Sequence, residues 1–158
     1  MAASIPLSIR PVNVAVLVEL TTEVMQRQAR LLGVRLAIHI DDQVPDVVDL
    51  DREKVGWVIT SLVGSALRHV RVPGGRIDVL VGYERSVSTF TIEVRDDGQG
   101  IPAAQLGRLL VRDEWRPGNA LALLLVEDIA VAHGGRLEIQ ASTDPRDHFT
   151  GIRFVAPA

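Results

Sequence analysis

The sequence predicts an α+β fold of two layers, a mixed and mostly antiparallel sheet covered on one face by three helices. Three observations carry this expectation. Segments with strict alternation of apolar and polar residues follow one another in hairpin order, as antiparallel strands do. Three longer segments place apolar residues at helical spacing, each leaving a polar face. At 158 residues and 47% apolar composition, the chain has the size for one continuous core and is short for two. Residues 1–158 are therefore expected to form a single domain, with residues 1–10 as a flexible start or linker.

The first helix is expected over Val14 to Leu32, with Leu17, Leu20, Val24 and Leu31 as its apolar stripe and Gly33 as its stop. Val34 to Ile40 alternates as a half-buried strand, and Asp41 to Asp46, with Pro45, reads as a loop. The acidic residues from Asp41 to Asp51 read as a solvated loop running through a strand into a helix cap, and no metal is assigned there. Asp51 stands where an N-cap belongs, opening a second helix with the stripe Val55, Val58, Ile59, Leu62 and Ala66 and an end before Pro73, Gly74 and Gly75. Trp57 on this helix is expected in the core or under the first helix. Ile77 to Tyr83 and Phe90 to Val94 form two strands joined by a tight connection around Glu84 to Val87. Pro102 to Leu110 reads as a short helix, Arg112 to Asn119 as a loop, and Ala120 to His133 as a third long helix stopped by Gly134 and Gly135. Two strands, Leu137 to Ala141 and Gly151 to Val155, close the order.

Composition excludes several functions. The chain has no cysteine, hence no disulfide framework and no thiolate metal site. A net charge of -3 from interspersed signs offers no basic face to nucleic acid. The longest nearly uncharged apolar run, Leu121 to Val126, is far below a membrane span, and the start lacks a basic region followed by an apolar one. A soluble, cytoplasmic chain is expected.

The run Arg95-Asp-Asp-Gly-Gln-Gly-Ile-Pro102 follows a strand and precedes a helix. A carboxylate at the end of a buried strand can accept a hydrogen bond from an amino group, while glycines let the backbone turn tightly and approach a ligand. Taken alone, the run also fits an ordinary Asp-Gly turn. Ser61-Leu-Val-Gly-Ser-Ala-Leu-Arg-His69, its lead-in Asp51-Arg-Glu-Lys-Val55, and Glu127-Asp-Ile-Ala-Val-Ala-His-Gly-Gly135 add three further motifs in order. Together these resemble the GHKL ATPases, the family of histidine kinases, type II topoisomerases and heat-shock chaperones, and within it the ATP-binding domain of histidine kinases. The resemblance covers nearly the whole chain and implies the Bergerat/GHKL fold. It also implies ATP or ADP with magnesium as ligand, with Asp96 reading adenine beside Gly98 and Gly100 and Arg68 toward the phosphates.

The departures from the family pattern fall on the phosphate and metal positions. Ser61 and Ser65 replace two asparagines of the helix-two motif, and the residue at position 65 is the magnesium ligand in the family. Magnesium takes oxygen ligands in near-octahedral geometry, and a serine hydroxyl is shorter and weaker than an amide oxygen. The second glycine box, G-x-G-L-G-L in the family, reads Gly118-Asn-Ala-Leu-Ala-Leu123, so Ala120 and Ala122 add methyl groups where backbone N–H groups would meet phosphate. The lid between the boxes is a stub, with Leu110 and Asp113 where phenylalanines are usual. Trp115 in that stub reads equally as a partner anchor, or cap of the cleft, and as a residue packed on its own domain.

None of the four histidines fits a phosphoacceptor. His133 reads equally as a helix C-cap or a functional residue, while His39, His69 and His148 read as solvated or structural. The sequence thus implies a degenerate histidine-kinase-like domain with weak or lost nucleotide binding and a regulatory or scaffolding role in two-component signalling. Its partner would be a histidine-containing dimerisation domain or another signalling protein. The alternative is a working domain that binds Mg·ATP and phosphorylates a histidine elsewhere. A free-standing serine kinase of the anti-sigma-factor type ranks last, because its helices usually lack the Ala132 to Gly135 ending.

Overall fold

A computed structural model describes residues 5–108 and 119–158, and side chains from residue 122 onward in the second stretch. They form β1 (Ile9–Val12), α1 (Val14–Leu32), β2 (Arg35–Ile40), β3 (Val48–Asp51), α2 (Arg52–His69), β4 (Arg76–Glu84), a 3-10 turn (Arg85–Val87), β5 (Thr89–Asp96), α3 (Ala103–Leu106), α4 (Asn119–Ala132), β6 (Arg136–Ser142) and β7 (Phe149–Pro157). Leu110, Asp113, Trp115 and Gly118, and the side chains of Ala120 and Leu121, lie outside the described residues.

The main sheet has the order β2-β4-β5-β7-β6. Three of its four pairings, β4-β5, β5-β7 and β7-β6, are antiparallel, whereas β2 and β4 run parallel. The parallel pair follows from connectivity: α2 lies between β2 and β4 in sequence, and a helical crossover returns the chain in the same direction where a hairpin would reverse it. On β4 and β5 the residues Ile77, Val79, Val81, Phe90, Ile92 and Val94 are buried. They meet the apolar stripe of α2, whose Val55, Val58, Ile59, Leu62 and Ala66 are buried as their spacing predicts. The alternate residues form the other face, where Arg153 donates through Nη2 to Glu93 Oε1 at 2.7 Å and approaches Glu138 at 3.5 Å.

Two sequence expectations need correction. On α1 the buried residues are Val14, Leu17, Val18, Thr22 and Ala29, whereas Leu20, Val24 and Leu31 are 54%, 72% and 88% exposed. Two overlapping stripes run along this helix, and the one that packs includes a threonine. Thr22 is tolerated there because its hydroxyl donates to the Val18 carbonyl at 2.7 Å, so no polar atom is left unsatisfied. Trp57, expected in the core, is 37% exposed; the side of α2 beside it that faces α1 is taken by Gly56, which packs on Leu17 and Thr21.

Of the first ten residues, Ile9 and Arg10 belong to β1, which pairs antiparallel with β3. This ribbon delivers Asp51, 3% exposed, to the start of α2. One carboxylate oxygen accepts the Lys54 N–H at 3.0 Å, as an N-cap does. The other accepts the Ser8 N–H at 2.8 Å and the Lys54 ammonium at 3.4 Å. The Asp51 N–H donates to His133 Nε2 at 3.1 Å, and His133 Nδ1 donates to the Ile129 carbonyl at 2.8 Å. The imidazole also stands edge-on to Phe154, 5.6 Å between centroids. His133 is therefore a tie between the end of α4 and the start of α2.

Burial raises the Asp51 pKa, but the Ser8 and Lys54 N–H groups and the Lys54 ammonium outweigh it and hold the carboxyl below the usual carboxylate range. A lowered folded-state pKa contributes stability that is present above about pH 4 and is lost as pH falls through that pKa. Asp51→Ala is expected to lose about 1–2 kcal/mol at pH 7 in urea unfolding, with the deficit shrinking below about pH 4. A deficit independent of pH would mean that the cap acts only by shape.

Candidate functional site

The ends of α2, β5 and the β6–β7 turn converge, with α4 alongside, around a cavity of about 1000 Å³. Helical spacing puts Ser61, Ser65 and Arg68 on the cavity side of α2, and α4 contributes Ala122, Leu123 and Val126. Asp96, Gly98 and Gly100 supply the wall below. The apolar body of the wall, with a few convergent polar groups, has the make-up of a small-molecule site. Six of the expected site residues, Ser65, Arg68, Asp96, Gly98, Gly100 and Ala122, thus line one cavity. Ala120 is in the first turn of α4, and Gly118 is not described.

Asp96 is the last residue of β5, held between Ile77 of β4 and Thr150 of β7. It is 6% exposed, and its Oδ1 accepts the Gly98 N–H at 2.8 Å. Burial raises its pKa above the ordinary value; the Gly98 N–H and nearby His69 oppose the rise, and Asp97 adds to it. The next carboxylate, Asp97, also lines the cavity but is exposed, and it accepts the Arg76 N–H at 2.9 Å. The site therefore offers one costly buried acceptor, suited to a ligand that brings an N–H donor.

The glycines are demanded by close packing. A Cβ on Gly98 would stand 2.8 Å from the His69 carbonyl oxygen, and one on Gly100 would overlap the Ser142 carbonyl. Gly100 also has φ +80°, a conformation that side chains resist. The turn after β5 is thus sandwiched between the end of α2 and the β6–β7 turn.

The histidines divide by partner. His39 pairs with Asp78 at 2.8 Å on the outer sheet face, and His69 donates through Nδ1 to the Ser65 carbonyl at 2.8 Å. His148 and Thr150 line the cavity, which sequence reasoning missed. The strand register that brings Thr150 beside Asp96 spans more than fifty residues and leaves no local signal. Among the described residues there is no group of three or more His, Cys, Asp or Glu side chains placed to hold a metal ion.

A raised carboxyl pKa stabilises the fold fully below about pH 4, and that stability is lost as pH rises through the folded-state value. Asp96→Asn keeps an oxygen for the Gly98 N–H and removes the buried charge. It is expected to melt above the wild-type chain at pH 7, with the difference closing toward pH 4; a lower melting temperature at pH 7 would contradict a charge penalty.

Residues 50–158 match the family model described as histidine kinase-, DNA gyrase B-, and HSP90-like ATPase. The alginate biosynthesis sensor protein KinB of Pseudomonas aeruginosa is 34% identical over 79% of this chain, and the sensor protein DivL of Caulobacter vibrioides 29% over 94%. These matches cover 22% and 19% of the two relatives, so the chain spans about a fifth of their length. The full-length structure of ShkA in complex with AMPPNP superposes with a TM-score of 0.84 at 21% identity, over 99% of this chain and 32% of that one. The catalytic domain of the histidine kinase ThkA superposes at 0.80 with 17% identity, over 96% of this chain and 97% of that one. With this sheet order, the cavity at the end of β5 and a family match over more than two thirds of its length, the chain belongs to the histidine kinase-, DNA gyrase B- and HSP90-like ATPases and has the fold of a histidine kinase catalytic domain.

Proposed function

We propose that the chain is one adenine-nucleotide-binding domain of a sensor-kinase-type signalling protein, whose base site is intact and whose phosphate and magnesium end is weakened. The observation that carries this reading is the buried Asp96 carboxylate at the floor of an open cavity backed by Gly98 and Gly100. An adenine amino group would return to that carboxylate the hydrogen bond that burial withholds, and the apolar wall of Leu62, Val94 and Ile152 suits a flat base. AMPPNP in the ShkA complex is in keeping with such a ligand.

At the other end of the cavity the residues fit less well. Ser65 stands at the position expected to face magnesium, with a short hydroxyl as its only side-chain oxygen. Ala122 places a methyl group in the wall contributed by α4. Bound with magnesium, ATP would supply a phosphoryl group to a histidine on a separate dimerisation domain; Arg68 would steady the phosphates. With that end weakened, the domain serves as a regulatory or scaffolding part of a cytoplasmic two-component signalling protein. Its nucleotide state would be read by a histidine-containing dimerisation domain or another signalling partner.

Restoring the family residues tests the reading. Ser65→Asn combined with Ala120→Gly and Ala122→Gly is expected to raise Mg·ATP affinity about tenfold or more, roughly 1.4 kcal/mol, in calorimetric titration. Unchanged affinity in the folded triple variant would count against weakening at these positions. It would favour the other reading, a working catalytic domain that tolerates serine and alanine.

A further inference from the structure

His148 stands in the turn between β6 and β7, fifty residues from the glycine turn it touches. Its Nδ1 lies 2.6 Å from the Gly98 carbonyl oxygen. A carbonyl only accepts, so Nδ1 carries the proton and donates. The N–H of the same glycine donates to Asp96 Oδ1 at 2.8 Å. Gly98 is thereby held at both backbone polar groups, by the histidine on one side and the buried carboxylate on the other. The next residue adds a second grip, because Phe149 lies under the Arg95 guanidinium, 3.8 Å from carbon to ring centroid. Arg95 precedes Asp96, and the ladder pairs Asp96 with Thr150. Residues 148–150 therefore contact the chain before, at and after the carboxylate.

A glycine turn has little stiffness of its own, since glycine surrenders more conformational freedom on ordering than any other residue. The direction of the Asp96 carboxylate depends on where the Gly98 N–H is held. From this geometry we infer that His148 is a positioning residue for base recognition, a clamp that fixes the Gly98 turn and so aims the Asp96 carboxylate into the cavity. The inference rests on the adenine-site reading for its ligand, but the clamp itself is measurable without one. Its side chain is exposed, in a turn outside the core, so replacing it should leave the fold in place.

The test compares the wild-type chain with His148→Ala and His148→Asn, the second of which retains a donor near the Nδ1 position. His148→Ala is expected to weaken ADP binding about fivefold to tenfold, the worth of one net hydrogen bond. Without nucleotide, exchange of the Gly98 amide with solvent should accelerate by a similar factor, while the melting temperature stays within about 2 °C. His148→Asn should recover most of both effects. Unchanged ADP affinity and Gly98 exchange in His148→Ala would overturn the clamp. So would equal losses in both variants that track a fall in melting temperature, because these would mark a merely structural role. If the wild-type chain binds no ADP, the proposed function fails, and the Gly98 exchange rates alone decide whether His148 holds the turn.

Discussion

The Asp51 carboxylate accepts hydrogen bonds from residues on both sides of it in sequence, Ser8 and Lys54, while its own N–H is received by His133 at the far end of α4. Four elements, β1, β3, α2 and α4, meet at this residue. The placement of α2 depends on it, because the first turn of a helix has N–H groups without intrahelical partners and is otherwise free to fray. From that fixed start α2 runs across the sheet and ends at His69, whose carbonyl backs Gly98. Ser61, Ser65 and Arg68 reach the cavity as a consequence of where the helix begins.

The fold and the site make opposite demands on their buried carboxylates. Asp51 is surrounded by donors, and its ionised form stabilises the structure. Asp96 has a single backbone donor and a burial cost, so its ionised form weighs against the fold. A structural acid is satisfied within the chain; a recognition acid is left short of partners so that a ligand supplies them. This contrast is what supports the proposed role of Asp96 in recognising a ligand.

Much of this was legible in the sequence where the signal is local. Asp51 as N-cap, the α2 stripe from Val55 to Ala66 and the run from Asp96 to Gly100 each lie within one helix turn or one loop. On the first helix the expected stripe holds at Leu17 and fails at Leu20, Val24 and Leu31, because two stripes overlap along it and periodicity does not say which of them packs. β1 escaped notice because four residues containing Pro11 show no alternation, and they become a strand only through pairing with β3. His148 and Thr150 reached the cavity through the pairing of β5 with β7, a long-range register that no local pattern encodes.

The proposed function calls for a cavity that recognises the base and holds magnesium-bound phosphates only weakly. Calorimetric titration of the unmodified chain with adenosine, ADP and ATP, each with magnesium and with a chelator, addresses it most directly. On the proposed function all three bind through the base, with affinities within about tenfold of one another and little changed by magnesium. Tight binding of ATP alone, abolished by the chelator, would contradict it, as would failure of all three to bind.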